Sequence, residues 1–339
     1  MVDATHTSYP AGDRSYFALL KKDIHHKSLQ AGFSVQKIGE IDIVVAELTS
    51  NLHKYAKDGE MLVGFYNDHQ GEYIEIITID NGPGMAEPAK MMQDGYSTGT
   101  TMGHGLGSIK RLSDVFDLYS VKEWGTIVLA RIYKNAPKKF PGTKATVDVR
   151  PLIIAKNGQQ TSGDGFYMHA DKKYMKLLIA DGLGHGPEAN KAVNEAVSSF
   201  QSISLNSPVD ILRTLHTDIR KTRGMVGSVA ILDTESKKLQ IAGIGNISAK
   251  FFSPGGQVKA HISYNGIIGH NIPNTMSAQE VSFADYTMLI FCSDGIKSRW
   301  DISRYTGISK CDLMVLNAAI YKDFSRRTDD TSVIIVKFK

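Results

Sequence analysis

Apolar residues recur every third or fourth position from Tyr16 to Ala31 and again from Val35 to Tyr55, which places them on one helix face and predicts two amphipathic helices. Met61 to Tyr66 and Tyr73 to Ile79 read as paired strands. Gly105 to Ser113 predicts a third helix, and Val115 to Val121 and Thr126 to Tyr133 predict two further strands. The pattern then breaks at Lys134 to Ala145, KNAPKKFPGTKA, where Lys, Pro and Gly predict a linker. Downstream, strands are expected over Val147 to Ala155, Gly165 to Ala170, Met175 to Ala180, Val226 to Leu232, Lys238 to Gly243, Ala249 to Ser253, Met288 to Cys292 and Ser332 to Phe338. Helices over Pro187 to Ser204, Pro208 to Lys221 and Asp312 to Phe324 interrupt them. The expectation is a two-domain α/β (α+β) protein. Residues 1–134 form an α/β sandwich, residues 135–145 the linker, and residues 146–339 two packed sheets flanked by helices.

Composition alters this picture little. At 339 residues the chain suits two domains of ordinary size, and 42% hydrophobic with 22% charged residues is typical of globular proteins. No stretch approaches the run of about 18 apolar residues that a membrane span needs, and the polar Met1 to Asp13 lacks the order of a secretory signal, so a cytoplasmic location is expected. Cys292 and Cys311 have no metal-ligand spacing and read as reduced structural thiols. Residues 1–134 carry 13 Lys+Arg against 17 Asp+Glu, and the remainder 26 against 18. The excess positive charge of the second part is scattered apart from Lys138, Lys139 and Lys144, with no reading helix or zinc finger, which argues against nucleic acid as a partner.

Two groups of residues carry candidate chemistry. In the first, Glu47 and Asn51 lie four apart on one helix face, where a carboxylate can act as base beside an amide that ligands Mg²⁺. Asp80 follows the Tyr73 to Ile79 strand and precedes Gly82 and Gly84, which let backbone approach a ligand while the carboxylate accepts a hydrogen bond, as from an adenine amino group. The run DGYSTGTTMGHGLG, Asp94 to Gly107, supplies hydroxyls such as Ser97 and Thr98 and glycines Gly103, Gly105 and Gly107 ahead of a helix, a natural anion site. It is neither a Walker loop nor a dinucleotide fingerprint.

In the second group, Asp164, Asp181, Asp294 and the pair Asp329-Asp330 all fall where apolar runs end. Carboxylates gathered by folding suit hard cations such as Mg²⁺ or Mn²⁺, and no His or Cys grouping supports zinc. Two adjacent cations can activate a water and polarise a phosphate.

ELTSN at Glu47 to Asn51, DNGPGM at Asp80 to Met85, DGYSTGTTMGHGLGSIKRL at Asp94 to Leu112 and Gly125-Thr126 resemble, in order and spacing, the boxes of the GHKL (Bergerat) ATP-binding fold, and more closely the RsbT-type serine kinases. The resemblance spans nearly all of residues 13–134. It implies Glu47 as general base for a substrate serine, Asn51 as Mg²⁺ ligand, Asp80 as adenine contact, Gly103, Gly105 and Gly107 as phosphate cradle, and Thr126 near the adenine. His104 departs from the apolar residue usual there, and a tolerated surface substitution is the favoured reading. No helical hairpin with a phosphoacceptor histidine precedes the fold, so a histidine kinase is disfavoured, and His25-His26 reads as surface.

DGLGHG at Asp181 to Gly186, CSDGI at Cys292 to Ile296 and DDTSVII at Asp329 to Ile335 resemble the PPM metal-dependent serine/threonine phosphatases in their SpoIIE-like, especially RsbX-like, form. That resemblance covers roughly residues 146–339 and implies an α-β-β-α sandwich. It implies Asp181 bridging two Mg²⁺ or Mn²⁺ ions, the Gly182 carbonyl on one, Asp294 and Asp329 completing the other, and Asp164 binding directly or through water, with Asp330 an alternative to Asp329. Gly227-Ser228 and Gly245-Asn246 resemble family turns, although Asn246 stands where many relatives have Asp. His185 reads as a structural turn residue or as an acid near the leaving serine.

Together the resemblances imply a bifunctional regulator with ATP and Mg²⁺ in one half and two cations in the other, acting on STAS-domain proteins of a stressosome or sigma-factor pathway. The alternatives are an ATP-gated binding module with one or both catalytic sites idle, and a phosphatase with a nucleotide-sensing half. Oligomeric state, the modified serine and the triggering signal are not legible in the chain.

Overall fold

The computed structural model describes residues 5–86, 105–138 and 147–339. The candidate residues Ser97, Thr98 and Gly103, together with His104 and the second half of the linker, lie outside these residues. The chain divides into two compact units: one holds His6–Gly142 with Tyr305–Lys322, the other Met1–Thr5, Thr143–Arg304 and Asp323–Lys339. The sequence pattern places its division at residues 135–145, and the grouping of 305–322 with the N-terminal part has no counterpart in that pattern.

In the first unit, β1 (Thr5–Pro10), β2 (Glu60–Asp68), β3 (Gly71–Ile79), β5 (Gly125–Tyr133) and β4 (Val115–Val121) lie in that order in an antiparallel sheet. Helices α1 (Phe17–Gln30), α2 (Val35–Tyr55) and α3 (Gly105–Leu112) cover one face. Helix α2 starts where Ser34 accepts a hydrogen bond from the Lys37 amide, an N-cap. It buries Ile38, Ile41, Val44, Val45 and Leu48 against Met61, Val63, Ile74, Ile76, Val128 and Ala130 of the sheet. The polar start of the chain differs from expectation. Thr5–Pro10 is a strand because β2 has a free edge to pair with, and His6 is buried there against Glu75.

The opposite sheet face is also covered. The segment from Tyr305, including most of helix α6 (Leu313–Phe324), anchors on it through polar contacts. Asp312 receives two hydrogen bonds from the Arg131 guanidinium, at 2.6 and 2.9 Å, and Arg131 also pairs with Glu75. Tyr321 donates to Glu60 at 2.8 Å, Tyr119 to the Thr306 carbonyl at 3.2 Å, and Lys322 to the Trp124 carbonyl at 2.8 Å. Burial alone would raise the Glu75 carboxyl, but Arg131 and His6 outweigh it and bring it down to about 2.

The second unit contains two sheets. One runs β12 (Val258–His261), β11 (Ser248–Phe252), β14 (Met288–Cys292), β15 (Thr331–Phe338), β6 (Val147–Ile154); the other runs β13 (Gln279–Ser282), β10 (Lys238–Ile244), β9 (Met225–Asp233), β8 (Tyr174–Gly182), β7 (Asp164–Ala170). Alternate residues of β8 explain the layering. Leu177 and Ile179 join Phe251, Phe291 and Ile334 between the sheets, while Leu178 and Ala180 meet Ala196, Phe200, Leu212 and Leu215 of α4 (Pro187–Ser202) and α5 (Pro208–Asp218). Gly227-Ser228, expected in a turn, sits inside β9, paired with Ile244 and Gly243 of β10. Cys292 is buried and Cys311 half-buried, both as free thiols, and burial pushes each thiol up from its ordinary value. No helix among the described residues is long and apolar enough to cross a membrane.

Candidate functional site

Helix α2 brings Glu47 and Asn51 to the start of α3. A Cβ built on Gly105 would stand 2.9 Å from Glu47 Oε2 and 3.7 Å from Asn51 Oδ1, so the first residue of α3 lies directly over this pair. Gly107 is buried two residues further along α3. Around the end of β3, Asp80 accepts a hydrogen bond from the Gly82 amide at 2.7 Å, and its own amide donates to the Thr126 carbonyl at 3.0 Å. Thr126 is buried, with its hydroxyl 2.9 Å from that of Ser120, which also accepts from the Met85 amide. Gly125 is required here: its φ is 116°, and a Cβ would lie 2.0 Å from the Asp80 carbonyl oxygen. Gly84, at φ 68°, packs as closely against the Val121 carbonyl. Burial pushes the Asp80 carboxyl up, while hydrogen bonds from Gly82 and Thr126 and the charge of Lys322 oppose it. Two arrangements result, a carboxylate and amide under a helix N-terminus and a half-buried carboxylate beside a threonine hydroxyl.

The acidic group lies in the other unit. Asp164 and Asp181 are directly opposite in the antiparallel β7–β8 pair, a placement in which like charges repel. Asp164 is 3% exposed; Ser293 donates to its Oδ2 at 2.6 Å, and its Oδ1 has no partner among the described residues. Burial, then the carboxylates of Asp164, Asp294, Asp329 and Asp330, push Asp181 well up; burial, with Asp330 and Asp294, does the same to Asp164. The Gly182 amide donates to the Gly163 carbonyl at 3.0 Å. Asp294 follows β14 and accepts from the Asn246 amide at 2.9 Å. The adjacent pair separates by partner: Asp330 accepts from the Lys156 and Gly163 amides at 2.7 and 2.8 Å, whereas the Asp329 carboxylate accepts from the Asp330 amide at 3.0 Å. His185 is exposed in the 182–186 loop.

Among the described residues no three His, Cys, Asp or Glu side chains converge as a finished ligand set. The donor chemistry nonetheless fits a hard divalent cation. A buried carboxylate oxygen with no partner faces an acidic neighbour, in a cluster of oxygen donors without nitrogen or sulfur. Sequence reasoning missed Ser120 and Lys322, and it met Ser293 and Asn246 only as parts of the CSDGI and Gly245-Asn246 motifs, without their bonds to Asp164 and Asp294. Each is a single polar residue whose role depends on the partner that folding supplies.

Fold and sites together define a mixed α/β protein with a kinase-like region and a PP2C-type phosphatase region. Residues 171–339 match the family model of Stage II sporulation protein E (SpoIIE). The chain is 36% identical over 101 residues to the serine/threonine-protein kinase RsbT of Bacillus subtilis (strain 168), which spans 30% of this chain and 76% of the relative. It is 25% identical over 146 residues to the phosphoserine phosphatase RsbX of the same organism, spanning 42% and 71%. A solved structure from work described as "The bacterial stressosome: a modular system that has been adapted to control secondary messenger signaling" has a TM-score of 0.52 at 28% identity, covering 56% of this chain and 99% of that one. RsbX in complex with magnesium has a TM-score of 0.51 at 19% identity, covering 58% and 98%, a likeness of fold. The chain belongs to the RsbT family in its N-terminal part and carries an RsbX/SpoIIE-type phosphatase domain in its C-terminal part.

Proposed function

We propose that this chain is a bifunctional regulator, an ATP-dependent protein serine kinase joined to a metal-dependent phosphoserine phosphatase, acting on STAS-domain partners in a partner-switching or stressosome pathway. The carrying observation is that each unit gathers its own polar group: Glu47 and Asn51 under Gly105 in one, and Asp164 opposite Asp181 in the other. Kinship with RsbT and RsbX supports the same pairing of activities.

In the kinase unit, Glu47 would accept the proton of the attacking serine hydroxyl, and Asn51 would hold Mg²⁺, which would neutralise charge on the phosphates. The resemblance would give the phosphates to backbone amides around Gly103, Gly105 and Gly107 with the hydroxyls of Ser97 and Thr98, and Asp80 would accept from the adenine amino group near Thr126. In the phosphatase unit, Asp181, Asp164, Asp294, Asp329 and the Gly182 carbonyl would hold two Mg²⁺ or Mn²⁺ ions. Cations held there would supply a water of lowered pKa and neutralise charge on the phosphate. Asp330 is a loop latch, since both its oxygens accept backbone amides.

The test uses the full chain with a purified STAS-domain protein. ATP and Mg²⁺ should add phosphate to a serine of the partner, and Mn²⁺ should remove it from the phosphorylated form. Tight ATP-dependent binding with neither transfer nor removal would instead establish the gated-module alternative.

A further inference from the structure

Helix α5 ends at Asp218, short of the Lys221 that sequence spacing suggests, and the chain turns through residues 219–224 before entering β9. The turn is firmly held. The Gly224 carbonyl accepts from the Leu183 amide at 3.1 Å, the Thr222 hydroxyl accepts from the Gly224 amide at 3.0 Å, and the His270 ring donates to the Arg223 carbonyl at 2.8 Å. The first of these bonds ties the turn to the 182–186 loop that follows Asp181.

Only the backbone of Arg223 is tied down. Its side chain is exposed, and among the described residues no ion pair is found for its guanidinium. It lies over Gly184: a Cβ there would stand 3.2 Å from Arg223 Nη1, and Gly184 adopts φ 84°. The loop therefore leaves a gap where a side chain would be, and a guanidinium occupies its rim three residues from Asp181. Arg220 and Lys221 share the turn, which makes it a positively charged stretch of the chain.

We propose that Arg223 is the phosphate-binding residue of the phosphatase unit, its guanidinium gripping two non-bridging oxygens of a protein phosphoserine across Gly184. A planar fork matches a phosphate dianion in a way a lysine point charge does not, and a rigid backbone with an unengaged head group is what such a grip requires. The inference rests on the phosphatase reading above, and phosphate binding is measured separately from hydrolysis so that the two can fail independently.

The experiment uses the full-length protein with Mn²⁺, p-nitrophenyl phosphate as substrate and inorganic phosphate as ligand. Arg223→Ala should raise both KM and the Kd for phosphate by about ten- to a hundredfold, as expected for a lost charge-assisted contact. The kcat and the calorimetric Kd for Mn²⁺ should move less than about threefold. Arg223→Lys should recover only part of the loss, and Lys221→Ala, on the same turn, should behave as wild type. Phosphate affinity unchanged in Arg223→Ala overturns the proposal, as does an equal loss in Lys221→Ala, which would mean a diffuse field. Arg223-dependent phosphate binding without hydrolysis would sustain the proposal while sinking the phosphatase reading, and absence of phosphate binding by wild type would sink the proposal.

Discussion

Asp312→Asn tests whether a residue far along the phosphatase-like sequence stabilises the nucleotide unit. Asp312 meets both terminal nitrogens of Arg131, whose side chain is 3% exposed and whose third nitrogen is committed to Glu75. The substitution keeps the shape but removes the charge and turns one acceptor into a donor facing a guanidinium. Breaking one partner of a buried ion pair costs about 3–5 kcal/mol. Glu75 still compensates Arg131, and Asp312 is itself 20% exposed, so the lower end, about 3 kcal/mol, is expected. For a unit of roughly 150 residues that is a fall in Tm of about 6–12 °C. Thermal unfolding of the full-length protein, with ATP and Mn²⁺ added separately, identifies which transition moves. The ATP-responsive transition should fall and the Mn²⁺-responsive one should stay within about 2 °C. A fall confined to the Mn²⁺-responsive transition would refute the grouping of residues 305–322 with the nucleotide unit.

Three further outcomes are expected. Because the folded Glu75 carboxyl is depressed to about 2, its contribution is complete above about pH 4.5 and is lost as pH falls towards 2. On the order of 3 kcal/mol should disappear across that window in acid-unfolding curves, and Glu75→Gln should flatten them. ATP with Mg²⁺ at a hundredfold excess over Kd should stabilise the protein by about 2.7 kcal/mol; Asp80→Asn should abolish most of the shift in a melting assay, while Glu47→Gln keeps it and loses phosphoryl transfer. Asp181→Asn should eliminate both the Mn²⁺-dependent shift and phosphatase turnover but leave the ATP shift intact, and turnover surviving the change would remove Asp181 from the site.

Much of the secondary structure was legible because single elements carry their own periodicity. Val35–Tyr55 shows its helical stripe, and β8 its apolar run from Leu177 to Ala180. Three strands were not legible: Thr5–Pro10, Val258–His261 and Gln279–Ser282 are short and largely polar, and are strands because a neighbouring edge pairs with them. The helix over 313–324 could be read, but its destination could not, since Leu313 to Tyr321 are all buried and no one-sided stripe points anywhere. At the sites, glycines and aspartates announce themselves through turn chemistry. That Asp164 faces Asp181 emerges only with strand register, and Asn246, Ser293 and Arg223 have meaning only beside their neighbours.

The latch at Asp330 bears on how the acidic site is maintained through time. One carboxylate ties the chain at Lys156 to the chain at Gly163, while Ser293 bridges Asp164 and the Ser332 amide. These bonds join protein groups to one another, so the frame around the carboxylates is expected to outlast loss of a cation, unlike small domains that collapse only around their metal. Chelation should empty such a site without unfolding the unit, and fresh cation should restore it at the speed of binding rather than of refolding. On the proposed phosphatase reading, metal would be a replaceable fitting, and supply of Mn²⁺ or Mg²⁺ would set how much of the protein is competent to remove phosphate at any moment.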